Sequence, residues 1–119
     1  MKMSRTYILH CARFLPNIGE NHICSRLHGH TFNIAIHLSG DVNQETGLIM
    51  DIYDLDKLFN DTINRELDHR QLNDINGLEN PTTENLIVWI WNKLKPQLSI
   101  LHKVSASEEK GVMFTYSGS

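Results

Sequence analysis

An alternation of large apolar residues with small or polar ones over positions 31–38 constrains this chain more than any other feature of its sequence. The apolar positions are Phe32, Ile34, Ile36 and Leu38, and the residues between them are Thr31, Asn33, Ala35 and His37. A period of two predicts a β-strand with one buried face. Residues 6–14 alternate more loosely, with Tyr7, Leu9 and Cys11 on one side, and predict an earlier strand.

Two segments with helical periodicity follow these strands. Asp51 is suited to cap the first helix, because its carboxylate can accept hydrogen bonds from the backbone N–H groups at a helix start. Pro81 and Thr82 open the second helix, and Pro96 ends it. The apolar faces of the two helices are formed by Leu55, Leu58, Phe59, Ile63 and Leu67 and by Leu86, Ile87, Ile90, Trp91 and Leu94.

The last part of the chain predicts a closing hairpin. Its two strands carry Val104 and Ala106, then Val112, Phe114 and Tyr116, around a turn at residues 109–111. The element order β-β-α-α-β-β predicts an α+β fold, in which two helices pack on one face of an antiparallel four-stranded sheet. The chain has 119 residues, and no boundary stands out along it, so we expect a single domain over residues 1–119.

The composition argues against several classes of protein. With 14 acidic and 11 basic residues the net charge is −3, whereas general nucleic-acid binders carry an excess of basic residues. The longest apolar run covers residues 86–91, far fewer than the ~20 that a membrane span needs. No apolar signal-peptide core is found near the start. We therefore expect a cytoplasmic protein in which Cys11 and Cys24 are thiols.

Histidines are unusually frequent, with seven in the chain, and two of them flank Gly29 at the head of the clear strand. Because alternate strand residues share a side, His28 and His30 can converge on one metal ion; the alternative is two solvated or hydrogen-bonded side chains.

Cys24 lies four residues before His28. A thiol near a dication or a protonated imidazole is a usable base or nucleophile, and otherwise it is a small buried hydrophobe.

Two carboxylates complete the set of candidate site residues. Asp68 precedes His69, and a carboxylate can raise the basicity of a neighbouring imidazole and fix its tautomer. Adjacent residues of a helix or strand do not face each other, so this pairing needs a turn; the alternative is a helix-end cap. Glu108 follows Val104 and Ala106 on the same side of the third strand, where it is either a site residue or a solvated turn residue.

Several separated motifs carry a family resemblance. They are Cys-Ser-Arg-Leu-His-Gly-His at residues 24–30, Leu-Asp-His at 67–69, Leu-Asn-Asp at 72–74, Asn-Gly-Leu-Glu-Asn-Pro-Thr at 76–82 and Trp-Ile-Trp at 89–91. In this order they make the chain resemble the 6-pyruvoyltetrahydropterin synthase family over nearly its whole length. The three residues between the cysteine and the first histidine are similar to the bacterial queuosine-pathway branch, 6-carboxytetrahydropterin synthase. The biopterin-pathway branch usually has five.

The resemblance implies a fold, an assembly and a reaction. The fold is the tunnelling fold (T-fold), in which three subunits close a twelve-stranded barrel and two barrels stack into a homohexamer. The substrate is 7,8-dihydroneopterin triphosphate, bound at a subunit interface, and the products are 6-carboxytetrahydropterin, acetaldehyde and triphosphate. The cofactor is Zn²⁺. The partners expected are therefore a pterin and further copies of the chain, with no nucleic acid and no membrane.

The resemblance also implies roles for individual residues. His28 and His30 correspond to zinc ligands, and Cys24 to the general base that takes a proton from the substrate side chain. Asp68 and His69 correspond to a proton relay supplied by a neighbouring subunit. Zinc on the side-chain oxygens of the substrate would acidify the adjacent C–H bond, so these roles are chemically consistent.

The chain departs from the family pattern at the third zinc ligand. Arg13 stands where the family has a histidine at the end of the first strand, and a guanidinium has no lone pair to donate. A third ligand could instead come from Cys11, from His10 if a bulge turned it inward, or from His22 in the following loop. Otherwise the site lacks a third ligand.

A second departure concerns the glutamate with which the family anchors the pterin. Ala106 stands in that position, and Glu108 is the nearest carboxylate on the same strand side, two residues further on. A carboxylate there could accept two parallel hydrogen bonds from the pterin. The two departures leave 6-pyruvoyltetrahydropterin synthase activity, or a catalytically silent pterin- or metal-binding paralogue, as alternatives to the 6-carboxytetrahydropterin synthase reaction.

Overall fold

The computed structural model describes residues 1–109 and 111–119 and is built around an antiparallel sheet. Its four strands are β1 (Lys2–Arg13), β2 (His28–Ser39), β3 (Leu101–Glu109) and β4 (Val112–Tyr116), in the spatial order β1-β2-β3-β4. This arrangement confirms the predicted sheet. The turn predicted at residues 109–111 includes Lys110, which lies outside the described residues.

Helices occupy the segment between β2 and β3. They are α1 (Ile52–Phe59), α2 (Arg65–Leu67) and α3 (Thr83–Leu94). A π-helical segment, Asn60–Asn64, joins α1 to α2, so one helical path fills the place of the first predicted helix and α3 is the second. The predicted order β-β-α-α-β-β is thus confirmed. Within the described ranges, no helix has both the length and the apolar character needed to cross a bilayer.

Side-chain caps explain where the two helical paths begin. The Asp51 carboxylate accepts a hydrogen bond from the Tyr53 N–H at 2.8 Å, as predicted from the sequence. The Thr82 hydroxyl accepts one from the Asn85 N–H at 3.1 Å. Each cap satisfies a backbone donor that has no partner within its helix.

The helices pack on one face of the sheet, called here the helix-facing side. Its core includes strand residues (Leu9, Phe32, Ile34, Ile36, Leu38, Leu101, Val104 and Ala106) and helix residues (Leu55, Phe59, Ile63, Leu67, Leu86, Ile87, Ile90 and Leu94). Burying each large apolar side chain stabilises the fold by roughly 1.5–3 kcal/mol. The intervening strand residues form the opposite face, called here the open face, to which His10 and Thr31 belong.

The first strand is longer than the segment predicted at residues 6–14. It runs from Lys2, which pairs with Ser39, to Arg13, which pairs with His28. Pairing with β2 extends β1 over residues whose own pattern is mostly polar and exposed, because backbone hydrogen bonds form whatever the side chain. The same register places Cys11 opposite His30.

Residues 68–71 lie along the outer edge of β1. The His69 N–H donates to the His10 carbonyl at 2.6 Å, and the Ala12 N–H donates to the Arg70 carbonyl at 2.9 Å. Ala12 forms a parallel bridge with Gln71. The end of α2 is therefore fixed beside the part of the sheet that carries the His28-Gly29-His30 motif.

Candidate functional site

His28 and His30 lie side by side on the helix-facing side of β2. Their ring centroids are 5.2 Å apart with an interplanar angle of 60°. The Nδ1 atom of His28 is 2.7 Å from the carbonyl oxygen of Arg26, which can only accept, so Nδ1 carries the proton. This tautomer leaves the lone pair on Nε2, as in histidines that bind a metal or a polar ligand.

Arg13, which stands where the family has a third zinc-binding histidine, lies beside His28 and His30. Its side chain is 4% exposed, and the register places it directly opposite His28. One terminal nitrogen, Nη1, donates to the Pro81 carbonyl at 3.0 Å and to the Thr83 hydroxyl at 3.2 Å. The other, Nη2, donates to the Glu108 carboxylate at 2.5 Å. A guanidinium cation is thus fixed beside the two imidazoles.

Glu108 is the counter-charge of Arg13. Its Oε2 atom also accepts a hydrogen bond from the Thr83 hydroxyl at 2.9 Å and lies 3.6 Å from His30 Nε2. Ala106 is fully buried and pairs with Ile34 across the sheet. Position 106 therefore contributes packing, and among the described side chains it is the Glu108 carboxylate that lies close to His30.

The three alternative zinc ligands have other partners. The Cys11 thiol donates to the Leu67 carbonyl at 3.3 Å, and burial raises its pKa to about 12, so it stays protonated. His10 lies on the open face, where its Nδ1 is 3.0 Å from the Thr31 hydroxyl. His22 accepts a hydrogen bond from the Cys24 N–H at 3.0 Å and caps the turn Ile23–Ser25.

The arrangement at His28 and His30 does not fit the zinc site that the resemblance implies. In the part of the chain that the structure describes, no group of three histidine, cysteine, aspartate or glutamate side chains could hold a metal ion. The third position holds a fixed cation without a lone pair, and Glu108 is already paired with that cation. A structural or catalytic zinc site needs at least three protein ligands.

Asp68 and His69 form the pair that the sequence suggested. His69 has φ +59°, a left-handed conformation that is uncommon for a residue other than glycine. This turn brings His69 Nδ1 to 2.6 Å from Asp68 Oδ2, while Asp68 Oδ1 accepts from the His10 N–H at 3.0 Å. Burial raises the pKa of Asp68, but the hydrogen bonds from His10 and His69 outweigh it and hold that pKa below its usual value.

A pocket of about 430 Å³ opens beside this pair. It is lined by His10, Cys11, Ala12, Gly29, His30, Thr31, His69, Arg70 and Gln71. The His10 and His69 rings meet edge to face with centroids 5.8 Å apart. A Cβ atom added to Gly29 would touch nothing within 4 Å, so the missing side chain adds open space there. The pocket therefore contains residues of both predicted motifs, His30 from one and His69 from the other.

Cys24 does not line that pocket. It lies in the turn Ile23–Ser25, held by a hydrogen bond from the Leu15 N–H to its carbonyl at 2.8 Å, and its side chain is partly exposed. Within one copy of the chain, the structure brings His30 and His69 to one pocket and leaves Cys24 outside it.

Sequence reasoning missed the contact between Arg13 and Glu108 and the position of His10 beside His69. The first contact could have been suggested by charge. Arg13 is a cation at the first position that departs from the family pattern, and Glu108 is an anion two residues from the second. The second depends on the alignment of residues 68–71 with the edge of β1, for which the local sequence holds no signal.

The comparisons with known proteins agree with the resemblance. The model of the family PTPS, 6-pyruvoyl tetrahydropterin synthase, matches residues 2–119. A 6-carboxy-5,6,7,8-tetrahydropterin synthase of Synechocystis sp. is 38% identical over 90 residues, which are 71% of this chain and 70% of the relative. A dihydroneopterin monophosphate aldolase of Pyrococcus furiosus is 42% identical over 72 residues, 60% of this chain and 59% of the relative.

Two further similarities cover more of the chain. A 6-pyruvoyl tetrahydrobiopterin synthase of Dictyostelium discoideum is 32% identical over 99 residues, 80% of this chain and 73% of the relative. The structure of the Caenorhabditis elegans 6-pyruvoyl tetrahydropterin synthase superposes with a TM-score of 0.90 at 27% identity, covering 100% of this chain and 96% of that one. These matches confirm the predicted tunnelling fold. The chain belongs to the 6-pyruvoyl tetrahydropterin synthase family.

Proposed function

We propose that this chain is a lyase of the 6-carboxytetrahydropterin synthase type. Its substrate would be 7,8-dihydroneopterin triphosphate, which with water would give 6-carboxytetrahydropterin, acetaldehyde and triphosphate. The observation that carries the proposal is the Asp68–His69 pair, whose nitrogen and oxygen are 2.6 Å apart while the histidine side chain is 75% exposed. The 38% identity with the Synechocystis relative of that name supports the choice of reaction.

The reaction begins with the loss of a proton from the first side-chain carbon of the substrate. That carbon is next to the C6=N5 double bond of the dihydropterin ring, so the electrons of the broken C–H bond can move toward N5, which then takes up a proton. The ring is thereby reduced to the tetrahydro level while the side-chain carbon is oxidised, and no external oxidant is needed. The protein must supply a base and an acid, each worth roughly 10²–10⁴ in rate.

His69 is suited to give and take protons. Its Nδ1–H donates to the carboxylate of Asp68, which fixes the tautomer and leaves Nε2 directed away from the pair. Asp68 is in turn held by the His10 N–H, so the imidazole is oriented by a carboxylate with a fixed position of its own. We assign Asp68 and His69 as the proton relay on these grounds.

We assign Cys24 as the base that takes the side-chain proton. It is partly exposed, whereas Cys11, the other cysteine of the sequence, is buried and protonated. Because Cys24 lies outside the pocket that holds His69, the proposal requires an assembly in which Cys24 of one copy meets His69 of another. The same requirement favours a homo-oligomer, a trimer or hexamer, with the active site between subunits.

Glu108 is the proposed pterin anchor. Its described contacts with Arg13, Thr83 and His30 all involve Oε2. The other oxygen, Oε1, can therefore accept a hydrogen bond from the amino group of a pterin while Arg13 holds the carboxylate in place. The zinc ion implied by the resemblance is not part of this proposal, because the residues around His28 do not fit it.

The test is a product analysis on the purified protein with 7,8-dihydroneopterin triphosphate, with and without added zinc. We expect 6-carboxytetrahydropterin by mass spectrometry and acetaldehyde in an assay coupled to alcohol dehydrogenase. Pterin products without acetaldehyde would contradict the reaction type in favour of 6-pyruvoyltetrahydropterin synthase activity. No conversion under either condition would contradict an enzyme for this substrate.

Matched variants test the assigned residues. Cys24→Ala and His69→Gln should each lower the rate by at least ~10²-fold. Cys11→Ala and His102→Gln change the same residue types outside the proposed machinery and should keep most of the activity. Equal rates in Cys24→Ala and Cys11→Ala would reject Cys24 as the base.

A further inference from the structure

Arg13, the first departure from the family pattern, contacts the carboxylate that lies two residues beyond the second departure, Ala106. Arg13, which stands in the place of a zinc ligand, donates to Glu108, the shifted carboxylate, although 95 residues separate them in the sequence. Thr83, at the start of α3, bridges the two, since its hydroxyl contacts both side chains at 3.2 and 2.9 Å. Arg13, Thr83 and Glu108 therefore form one structural unit.

Arg13 and Thr83 of this unit are buried, Glu108 is mostly so, and the unit is almost fully paired. The Arg13 side chain is 4% exposed and the Glu108 side chain 17% exposed. Arg13 also lies over the ring of Phe32, with 5.1 Å between the guanidinium carbon and the ring centroid. Only the Nε atom of Arg13 has no hydrogen-bond partner among the described buried side chains. A guanidinium fixed in this way cannot swing out to admit another cation without leaving Glu108 buried and unpaired.

The guanidinium of Arg13 lies on the same face of the sheet as the two imidazoles. Residues 13 and 28 are opposite each other in the β1–β2 pair, and residue 30 is one step along the same face. A side chain at position 13 therefore points to the same space as the two imidazoles. In place of a lone pair, Arg13 brings a positive charge that repels a dication.

We propose that the Arg13–Glu108 ion pair replaces the divalent metal ion of this site. The guanidinium is the resident cation beside His28 and His30, and the chain folds and assembles without zinc. The inference concerns the metal, not the reaction. Its readouts are metal content and absorption spectra, so a failed product assay would leave it unaffected.

The experiment compares zinc binding in the wild-type chain and in Arg13→His. Each purified protein is equilibrated with micromolar zinc, dialysed, and its metal content measured by mass spectrometry. The wild type should retain well below one zinc per chain, and Arg13→His should retain about one, because three imidazoles complete a zinc site. Cobalt added to Arg13→His should give the visible absorption of a tetrahedral centre, and cobalt added to the wild type should not.

Arg5→His is the matched control. Arg5 also lies on β1 and pairs with a carboxylate, Asp56, at 3.1 Å, but Ile36 is the residue opposite it. The control should gain no zinc. If Arg13→His does not fold because Glu108 loses its partner, the double variant Arg13→His/Glu108→Gln removes the unpaired charge and repeats the measurement.

Two results would overturn the proposal. The first is a wild-type chain that holds about one zinc and loses it in His28→Ala. The second is a folded Arg13→His, or its double variant, that binds no more zinc than Arg5→His. The wild-type measurement decides the question even if neither variant folds.

Discussion

Two polar clusters lie where β1 and β2 meet, and they differ in solvent exposure and in the kind of ion pair that they contain. The buried cluster, on the helix-facing side, consists of Arg13, His28, His30, Thr83 and Glu108. The edge cluster, beside β1 and on the open face, consists of His10, Thr31, Asp68 and His69. Both contain histidines and a carboxylate, so residue type alone does not distinguish them.

Solvent access is what separates the two clusters. In the buried cluster a permanent cation faces a carboxylate, and their side chains are 4% and 17% exposed. In the edge cluster the carboxylate faces an imidazole whose side chain is 75% exposed. A buried ion pair holds its charges and its geometry, whereas an exposed imidazole paired with a carboxylate is accessible to a substrate and to water. We therefore expect the buried cluster to position groups and the edge cluster to transfer protons.

The two cysteines provide the largest expected contrast between buried and exposed positions. Cys11 has a pKa raised to about 12 by burial, so its thiolate fraction near neutral pH should be roughly 10³-fold below that of an ordinary thiol. In a Cys24→Ser variant, iodoacetamide should therefore alkylate Cys11 far more slowly in the native protein than in urea. Intact-mass spectrometry measures both rates. Equal rates would mean that Cys11 is not shielded by the core.

Removing Glu108 breaks the buried cluster. Glu108→Ala leaves the Arg13 guanidinium buried without a counter-charge, and the free energy of unfolding should fall by about 3 kcal/mol. Asp61→Ala is the control, since Asp61 pairs with Lys57 at 2.8 Å where both side chains are largely exposed. An exposed pair contributes about 0–1 kcal/mol. Urea denaturation of the two variants gives the comparison, and losses of equal size would contradict the buried role of Glu108.

The fold was largely predictable because its determinants are local. The period-two pattern of residues 32–38, the Asp51 cap and the apolar helix faces each depend on neighbouring residues, and each has the predicted place in the structure. The length of β1 was not predictable in this way. Lys2 joins the strand only because Ser39 of β2 lies opposite to pair with it.

The candidate site depends on contacts between residues that are distant in the sequence, and local sequence patterns do not predict such contacts. The motifs identified His28, His30, Asp68 and His69, but not how they are divided between two clusters. The sequence showed that the Asp68–His69 pair needs a turn, and the structure supplies it as the positive φ of His69. The ion pair between Arg13 and Glu108 joins β1 to β3, so no local pattern could reveal it.

A test of the edge cluster is the effect of Asp68 on the pH dependence of the free energy of unfolding. Because the folded pKa of Asp68 lies below the unfolded value of about 3.9, its ionised form stabilises the fold above pH ~4, and this contribution is lost as the pH falls through the folded pKa. Asp68→Asn should cost about 1 kcal/mol at pH 7 and progressively less as the pH falls below ~4. Asp41→Asn, at an exposed position, should show no such trend. A pH-independent loss in Asp68→Asn would show that the charge of Asp68 does not matter.

The smallest expected effect comes from His37, a histidine of the open face far from both clusters. Burial lowers the pKa of His37, and the positive charges of Lys103 and His102 lower it further, while its Nε2 is 3.0 Å from the Ser105 hydroxyl. Because the folded protein binds this proton less readily than the unfolded chain, stability should decrease as the pH falls below about 6.5 and level off below the folded pKa. Solvent screening limits the change to a few tenths of a kcal/mol. The stability of His37→Gln, measured by thermal unfolding between pH 5 and 8, should not show this decrease. If the variant has the same pH profile as the wild type, the decrease comes from another group.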